Sequence, residues 1–360
     1  MKAHGFAQAA VQLAAVMGIA YAVLCVVFVN QMVGFFKLED AEAHAAALSY
    51  TKIACGLIVF SFLTLTGLYT AQGDSKTPFV ANLIGLVMNM ILDPVLILGP
   101  GPFTGLGVAG AAIATVTTQA IIMSIMILGI VVQKKENVLK GIRLFAKIPA
   151  EFLRGICRIG IPTALQGMAY CGISMILTRM VSGYGAEAVA TQRVGGQIEL
   201  ISWNTADGFA AALNAFVAQN YGAGEKDRVR KGYQVSLWTV GIWGVLVSAA
   251  FICFPEAIAD IFFHEPKVVA TAVRYLVIIG FSEAFMCVEL TTIGALSGLG
   301  RTRLCSVISI AFTSARIPLA VILSGIMGLD GIWWVLTSTS IVKGIIFTCT
   351  FFWIMREKRA

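Results

Sequence analysis

Long apolar segments separated by short polar ones make up almost the whole chain. Each apolar segment extends for about 20 residues or more, the length that an α-helix needs to cross the hydrocarbon core of a bilayer. A transmembrane barrel would instead show short segments of alternating polarity, and no such series occurs. The pattern therefore predicts an all-α polytopic membrane protein with about ten membrane-spanning helices. The predicted spans are residues 9–31, 51–71, 78–100, 107–132, 159–182, 188–220, 233–256, 268–297, 304–327 and 331–355.

Composition supports the same class and excludes others. Hydrophobic residues make up 58% of the 360 residues and charged residues only 12%, too few for a soluble domain of this length to cover its surface. No phosphate-binding loop, nucleophile triad or series of metal ligands occurs in the sequence. We therefore predict neither an enzyme nor a resident cofactor.

The net charge of +7 is explained by membrane topology rather than by a nucleic-acid partner. If residue 1 is cytoplasmic, the basic clusters at 134–158, 226–231 and 356–359 all face the same side, and the opposite loops are mostly acidic. This asymmetry is the positive-inside distribution. It predicts a multi-pass plasma-membrane protein with both termini in the cytoplasm and the lipid bilayer as its surroundings.

An internal repeat divides the chain. The matching segments are residues 4–6 with 231–233, 73–77 with 300–304 and, after a change of register, 107–110 with 328–331. The second copy follows a long apolar segment, 159–230, whereas the first begins close to Met1. We therefore expect two further helices before Met1 in a complete protein. Duplicated sets of apolar segments are typical of secondary transporters.

The repeat predicts two pseudo-symmetric lobes. Residues 1–132 would form a partial N-lobe of four helices, and residues 159–360 a C-lobe of six helices. Residues 133–158 would form a basic cytoplasmic connector between them. Its apolar positions either rest on the membrane surface as one face of a helix or belong to a solvated linker.

Four motifs resemble those of the multidrug and toxic compound extrusion (MATE) transporters. They are residues 215–228, Asn89-x-x-x-Asp93-Pro94, the glycine- and alanine-rich segment 107–115, and the turn at 298–303. The resemblance extends over the whole chain with the helices in the same order. It implies a cation-coupled antiporter, a monomer, that exports organic and often cationic compounds by rocking its two lobes around a central cavity.

The predicted ion-coupling site is on span 78–100. Asp93 is an acid within an apolar helix, which is costly unless it has a role, and Asn89 lies one turn before it on the same face. Pro94 releases a backbone carbonyl of that helix from its hydrogen bond, and Thr115 on the next span adds a hydroxyl. The resemblance assigns Asn89, Asp93 and Thr115 to the family's N-lobe cation site. The site would hold Na⁺, on Asn89 and Asp93, or a proton on Asp93; alternatively, Asp93 only hydrogen-bonds a neighbouring helix.

A second group of polar residues is on span 188–220. Glu199, Trp203 and Asp207 follow one another at intervals of one turn, so they project from one face. Two acids beside an aromatic ring can bind a lipophilic cation through charge and cation–π attraction, and Asn204 adds a hydrogen-bonding group. The alternative is a polar clamp between helices.

Glu289, on span 268–297, is a further substrate-site candidate. The family's acidic position on this helix falls at Met286, and its other C-lobe acid falls near Tyr170. A C-lobe cation site of the family's type is therefore not expected.

Two other functions remain open from the sequence. A lipid-linked oligosaccharide flippase of related fold would line its cavity with cations to meet a pyrophosphate, whereas the central ionisable residues here are mostly acids, with Arg316 the exception. A truncated membrane protein that transports nothing is the other alternative.

Overall fold

The computed structural model describes residues 2–34, 40–63, 65–99, 105–132, 139–142, 146–147 and 149–357. Throughout these ranges the chain forms helices and the turns between them, without a strand, which confirms the predicted all-α class. The helices are α1 (Lys2–Val27), α2 (Val29–Gly34), α3 (Ala41–Gly56), α4 (Val59–Phe62), α5 (Thr66–Ala71), α6 (Lys76–Leu98), α7 (Gly107–Val132), α8 (Ala150–Ser182), α9 (Ala186–Gly222), α10 (Lys226–Cys253), α11 (Pro255–Phe262), α12 (Pro266–Gly280), α13 (Glu283–Gly298), α14 (Thr302–Met327) and α15 (Leu329–Glu357).

Among the described residues, eight helices are long and apolar enough to cross a membrane, or nine if one bent pair is counted as a single span. The chain is therefore a multi-pass membrane protein, while the count of ten stays a prediction. Helix α9 is outside this set although it is 37 residues long. Its charged residues, among them Arg193, Glu199 and Asp207, are spread along its length and lower its apolar character.

The predicted span 268–297 is in fact two helices. Helix α12 ends at Gly280, α13 begins at Glu283, and the two axes differ by 49°. The Ser282 hydroxyl donates to the Ile279 carbonyl at 2.9 Å. This bond provides a partner for one of the carbonyls that the end of α12 leaves without an intrahelical donor. The break places the N-terminus of α13 within an apolar region of the chain, with Glu283 in its first turn.

The chain forms two compact units, Met1–Cys157 and Arg158–Ala360. In the first, Tyr69 lies in the core and its hydroxyl donates to the Met126 carbonyl at 2.6 Å. In the second, the largest buried cluster surrounds the stacked rings of Tyr233 and Phe351, whose centroids are 3.7 Å apart. The predicted lobe boundaries and helix numbers stay predictions.

The predicted connector is partly described. Residues 133–138, 143–145 and 148 lie outside the described residues. Two apolar positions of the connector contact the first unit: Leu139 is buried in its core, and Ile142 is partly buried against that core. From Ala150 onward the segment is already helix α8.

The two copies of the repeated turn have the same backbone conformation. Gly73 and Gly300 both adopt positive φ angles, 83° and 74°. Their N–H groups donate to the carbonyls of Thr70 and Ser297, each at 2.9 Å, which are also equivalent positions of the repeat. A positive φ favours glycine, because a Cβ would clash with the backbone there. The repeat seen in the sequence is therefore a repeat of local structure.

A second pair of equivalent glycines lets neighbouring helices approach closely. A Cβ added at Gly110, in α7, would overlap the Leu96 carbonyl at the end of α6. A Cβ added at Gly331, in α15, would overlap the Leu323 carbonyl near the end of α14. Both contacts are with backbone atoms, so no flexible side chain could move aside to make room for the added Cβ. Small residues at such crossings let membrane helices pack without a gap.

We expect Gly331→Ala and Gly110→Ala each to lower the free energy of unfolding by about 1–3 kcal/mol, the usual cost of overpacking a tight contact. Unfolding in detergent micelles, followed by circular dichroism, measures it. The matched control is Gly325→Ala, since a Cβ there meets open space. Equal stability of all three variants would show that these glycines are not packing positions.

Candidate functional site

A polar cavity of about 530 Å³ lies within the second unit. Its lining comes from α8, α9, α12, α13, α14 and α15. This volume suits a drug-sized ligand. Four acidic and two basic side chains are part of the lining: Glu199, Asp207, Glu283, Glu289, Arg316 and Lys343.

Glu199 is held in place by a tyrosine from another helix. The Tyr275 hydroxyl, on α12, donates to Glu199 Oε1 at 2.8 Å. The tyrosine ring reaches α9 because position 195, one turn before Glu199, is a glycine: a Cβ there would overlap the ring. On its other side the ring meets Trp333 edge-to-face, with centroids 5.1 Å apart. The carboxylate therefore points along a direction fixed by packing.

Glu289 forms a buried ion pair. Lys343 Nζ, on α15, lies 2.7 Å from Glu289 Oε1, on α13, and the two residues are only 7% and 6% exposed. The helices come together beside them because residue 344 is a glycine, packed on the Phe285 carbonyl of α13. In a medium of low dielectric constant each charge depends on the other, since neither can be hydrated.

Arg316 is anchored by neutral groups. Its Nε donates to Thr339 Oγ1 at 2.8 Å and its Nη2 to Ser340 Oγ at 3.0 Å, both on α15. The Thr339 hydroxyl in turn donates to the Val335 carbonyl at 2.7 Å, so its oxygen is oriented to accept from the arginine. The guanidinium is thus fixed at the cavity wall, and no carboxylate of the described residues is bound to it.

Glu283 differs from the other acids of the lining. It is 1% exposed, and its Oε2 atom has no hydrogen-bond partner among the described residues. It occupies the first turn of α13, where the free N–H groups of a helix favour negative charge. One of those N–H groups, that of Ala284, donates to Ser248 Oγ at 3.3 Å.

Most of the predicted substrate residues are brought together by this cavity. Glu199, Trp203, Asp207 and Glu289 belong to its lining, whereas Asn204 does not. Trp203 is 40% exposed and Asp207 is also exposed, so both are accessible to a ligand. Glu199 and Glu289, in contrast, are held by Tyr275 and Lys343.

The predicted ion-coupling residues are in the first unit. Asn89 Nδ2 donates to Asp93 Oδ1 at 3.4 Å along α6, as their one-turn spacing predicts. Helix α6 continues through Pro94 to Leu98. Thr115, on α7, is exposed, and its hydroxyl donates to the Ala111 carbonyl of its own helix at 3.0 Å, so its proton is already engaged. The structure thus pairs two of the three predicted groups.

The family follows from comparison with known proteins. The family model described as MatE matches residues 2–95 and 162–322, well over half of the chain. The chain belongs to the MatE family. The resemblance drawn from the four sequence motifs is thereby confirmed.

Relatives and solved structures of MATE proteins agree with this assignment. The probable multidrug resistance protein NorM of Thermotoga maritima is 28% identical over 330 residues, which cover 89% of this chain and 68% of that relative. The probable multidrug resistance protein YoeA of Bacillus subtilis is 28% identical over 325 residues, with coverage of 88% and 70%. A crystal structure of MATE in complex with MaD3S has the same fold, with a TM-score of 0.86 at 18% identity, covering 99% of this chain and 85% of that one.

Membership of the MatE family makes this chain a multi-pass membrane protein related to transporters of small molecules rather than to enzymes. Tyr170 and Met286, the positions at which the sequence resemblance predicts acids, both belong to the cavity lining. The four acids of the lining are at other positions, Glu199 and Asp207 on α9 and Glu283 and Glu289 on α13.

Sequence reasoning missed two residues of this MatE cavity. Lys343 is at the middle of α15, Leu329–Glu357, too far from either end to extend to the membrane surface. That central position was the available signal. Glu283 is an acid within the predicted span 268–297, but its place at the start of a new helix depends on the break after Gly280, which the apolar pattern does not reveal.

We expect Lys343→Met to lower the free energy of unfolding by about 3–5 kcal/mol, because it leaves the Glu289 carboxylate buried without a counter-charge. The double variant Lys343→Met/Glu289→Gln should lose less than the single one. Chemical unfolding in detergent measures both.

The matched control is Arg274→Gln, which breaks the Arg274–Asp330 pair, where the arginine side chain is 56% exposed. That change should cost less than about 1 kcal/mol. If Lys343→Met proved no more harmful than Arg274→Gln, the buried pair would not be a stabilising element.

Proposed function

We propose that this protein is a cation-coupled antiporter that exports organic, often cationic, compounds. The observation that carries the proposal is the cavity of the second unit, whose carboxylates outnumber its cations. Four acids and two bases line it. With Glu289 neutralised by Lys343, the groups left are Glu199, Asp207 and Glu283 against Arg316. Membership of the MatE family and relatives named as multidrug resistance proteins support the same function.

The proposed substrate site is formed mainly by side chains of α9. Asp207 and Trp203 are accessible and one turn apart, so a lipophilic cation can meet a carboxylate and an aromatic face together. Glu199, a further turn along, adds negative charge deeper in the cavity. Apolar lining residues such as Leu290 and Ile293 complete a surface suited to amphiphilic organic molecules.

The coupling ion, Na⁺ or H⁺, is proposed to act at Asp93. Asn89 donates to one of the two carboxylate oxygens of Asp93, and the other oxygen accepts no hydrogen bond from the residues that the structure describes, so a cation can bind there. An amide and a carboxylate on one helix face supply oxygen ligands of the type that hard cations prefer. Binding there, in one conformational state more than in the other, would drive alternating access.

The proposed setting is the plasma membrane, with the protein a monomer and both termini in the cytoplasm. The orientation is proposed from the basic residues that flank the spans. The main groups are at 226–231, in the first turns of α10, and at Arg301 and Arg303. Cationic substrates would then leave the cytoplasm against inward movement of the coupling ion.

A lipid-linked oligosaccharide flippase is the second candidate. Arg316 and Lys343 give it some support, since a pyrophosphate needs cations. However, Lys343 already binds Glu289 at 2.7 Å, so Arg316 alone opposes the remaining acids. The antiporter therefore accounts better for the charges of the cavity.

We expect Asp93→Asn to abolish efflux driven by an imposed Na⁺ or pH gradient. The neutral amide has no negative charge to attract Na⁺, and it does not take up a proton. Proteoliposomes loaded with a fluorescent cationic dye, tested under each gradient separately, measure it. Asp260→Asn is the matched control, as Asp260 is exposed on α11. Efflux from the Asp93 variant that still followed the gradient would exclude this coupling site.

We expect Asp207→Asn to weaken binding of a cationic dye by about tenfold, the usual scale for one charge-assisted contact, and to leave a neutral analogue nearly unchanged. Fluorescence anisotropy of the detergent-solubilised protein measures both affinities. Asp227→Asn, at the exposed start of α10, is the control. Equal losses for the two dyes would mean that Asp207 acts as a structural clamp.

A further inference from the structure

We propose that Arg316 is the anion-binding subsite of this cavity and that the preferred ligand is a zwitterion, an organic compound that carries both a carboxylate and a cationic group. This inference rests on the proposed function and deepens it, because it names the substrate class of the same cavity. Two observations among the described residues carry it: the guanidinium has no bound carboxylate, and the Ser309 hydroxyl, two turns earlier on the same face of α14, has no hydrogen-bond partner.

Arg316 is near the middle of α14 (Thr302–Met327), a helix long and apolar enough to cross a membrane, and among the described residues it has no direct counter-ion. The residue is 7% exposed, and both of its hydrogen bonds go to the neutral hydroxyls of Thr339 and Ser340. Within the described part of the chain, no carboxylate oxygen lies within 4 Å of it. An arginine buried in a membrane span normally pairs with an acid, because the charge cannot be hydrated there.

The nearest acids act on Arg316 only from a longer distance. Glu199 and Glu289 both interact with it electrostatically. However, Glu289 is committed to Lys343 at 2.7 Å, and Glu199 accepts a hydrogen bond from Tyr275 at 2.8 Å. The positive charge of Arg316 is therefore only partly balanced, and the cavity in front of it has room for an anionic group.

The donors of Arg316 are suited to bind such a group. A guanidinium has five N–H donors, and the two hydrogen bonds to Thr339 and Ser340 use one on Nε and one on Nη2. The remaining donors include both of those on Nη1, and the side chain belongs to the cavity lining. Because two bonds already fix the plane of the guanidinium, little freedom is lost when a carboxylate binds to it.

A second observation on the same helix also points to a ligand. Ser309 and Thr313 precede Arg316 by seven and three residues, so they share its face of α14, and all three line the cavity. Ser309 is only 4% exposed, and its hydroxyl has no partner among the described residues. A buried hydroxyl without a partner is unfavourable, and a ligand oxygen would supply the missing bond.

The charges are separated across the cavity in the way that a zwitterion requires. Asp207 and Trp203, which suit a cation, are on α9, whereas Arg316 is on α14. Both ends belong to one cavity of about 530 Å³, which holds a molecule of several rings. A purely cationic ligand would leave Arg316 without an anion and would be placed in the same cavity as a fixed positive charge.

Two dyes with the same fluorophore test this inference. Rhodamine 110 carries a free carboxylate on its cationic ring system and is a zwitterion at neutral pH, whereas rhodamine 123 is its methyl ester and only cationic. Anisotropy titrations of the full chain in detergent would give both affinities. We expect the wild-type protein to bind rhodamine 110 more tightly, by about tenfold, since the carboxylate gains charge-assisted hydrogen bonds.

Variants assign the difference to Arg316. Arg316→Gln should lose the preference for rhodamine 110 and keep its affinity for rhodamine 123 or raise it, while Arg316→Lys should retain part of the preference. Arg274→Gln, which removes an exposed arginine of α12, is the matched control and should leave both affinities unchanged. The preference of the wild-type protein can be read even if Arg316→Gln does not fold.

The outcomes separate this inference from the proposed function. If the wild-type protein binds rhodamine 123 as tightly as rhodamine 110, or if Arg316→Gln weakens both dyes equally, the anion subsite is wrong and the export of cationic compounds stands. If the wild-type protein binds neither dye, both proposals are overturned.

Discussion

The organisation of the second unit depends on how charges are accommodated where water is excluded. The Glu289–Lys343 pair is the clearest case: two oppositely charged groups from α13 and α15 lie 2.7 Å apart and almost wholly buried. Either charge alone would cost several kilocalories per mole at that depth. Their contact therefore fixes α13 beside α15. With that pair neutralised, the remaining charged groups of the lining are Glu199, Asp207, Glu283 and Arg316.

The two copies of the repeat share a backbone but not a chemistry. The equivalent turns at Gly73 and Gly300 have the same hydrogen bonds, and Gly110 and Gly331 make the same close contact. At the polar positions the copies differ, since Asn89 and Asp93 in the first correspond to Arg316 and Ala320 in the second. Packing constraints act on the backbone and preserve glycines, whereas a site needs only one set of charges. This divergence is consistent with the proposal of a cation site in the first unit and a substrate site in the cavity of the second.

Close helix approach and polar chemistry are coupled in this fold. Gly195 admits the Tyr275 ring that orients Glu199, and Gly344 brings α15 close to α13 where Lys343 meets Glu289. Each glycine is next to or one turn from the polar residue whose position it determines. A change in packing at either position would therefore alter the site without touching a charged group.

The sequence by itself determined the class and the family. Apolar segments of membrane-spanning length, the repeated glycine turns and the Asn89–Asp93 spacing depend on helix geometry and hydrophobicity, which are local properties. The same periodicity placed Glu199, Trp203 and Asp207 on one face. Only the tertiary structure decided the rest: that α12 and α13 are separate helices, that Glu289 is paired with Lys343, and that Arg316 lies in the cavity with neutral partners. These features depend on contacts between helices distant in sequence, such as that of Glu289 with Lys343, which is 54 residues further along the chain. No local pattern encodes which charges will meet.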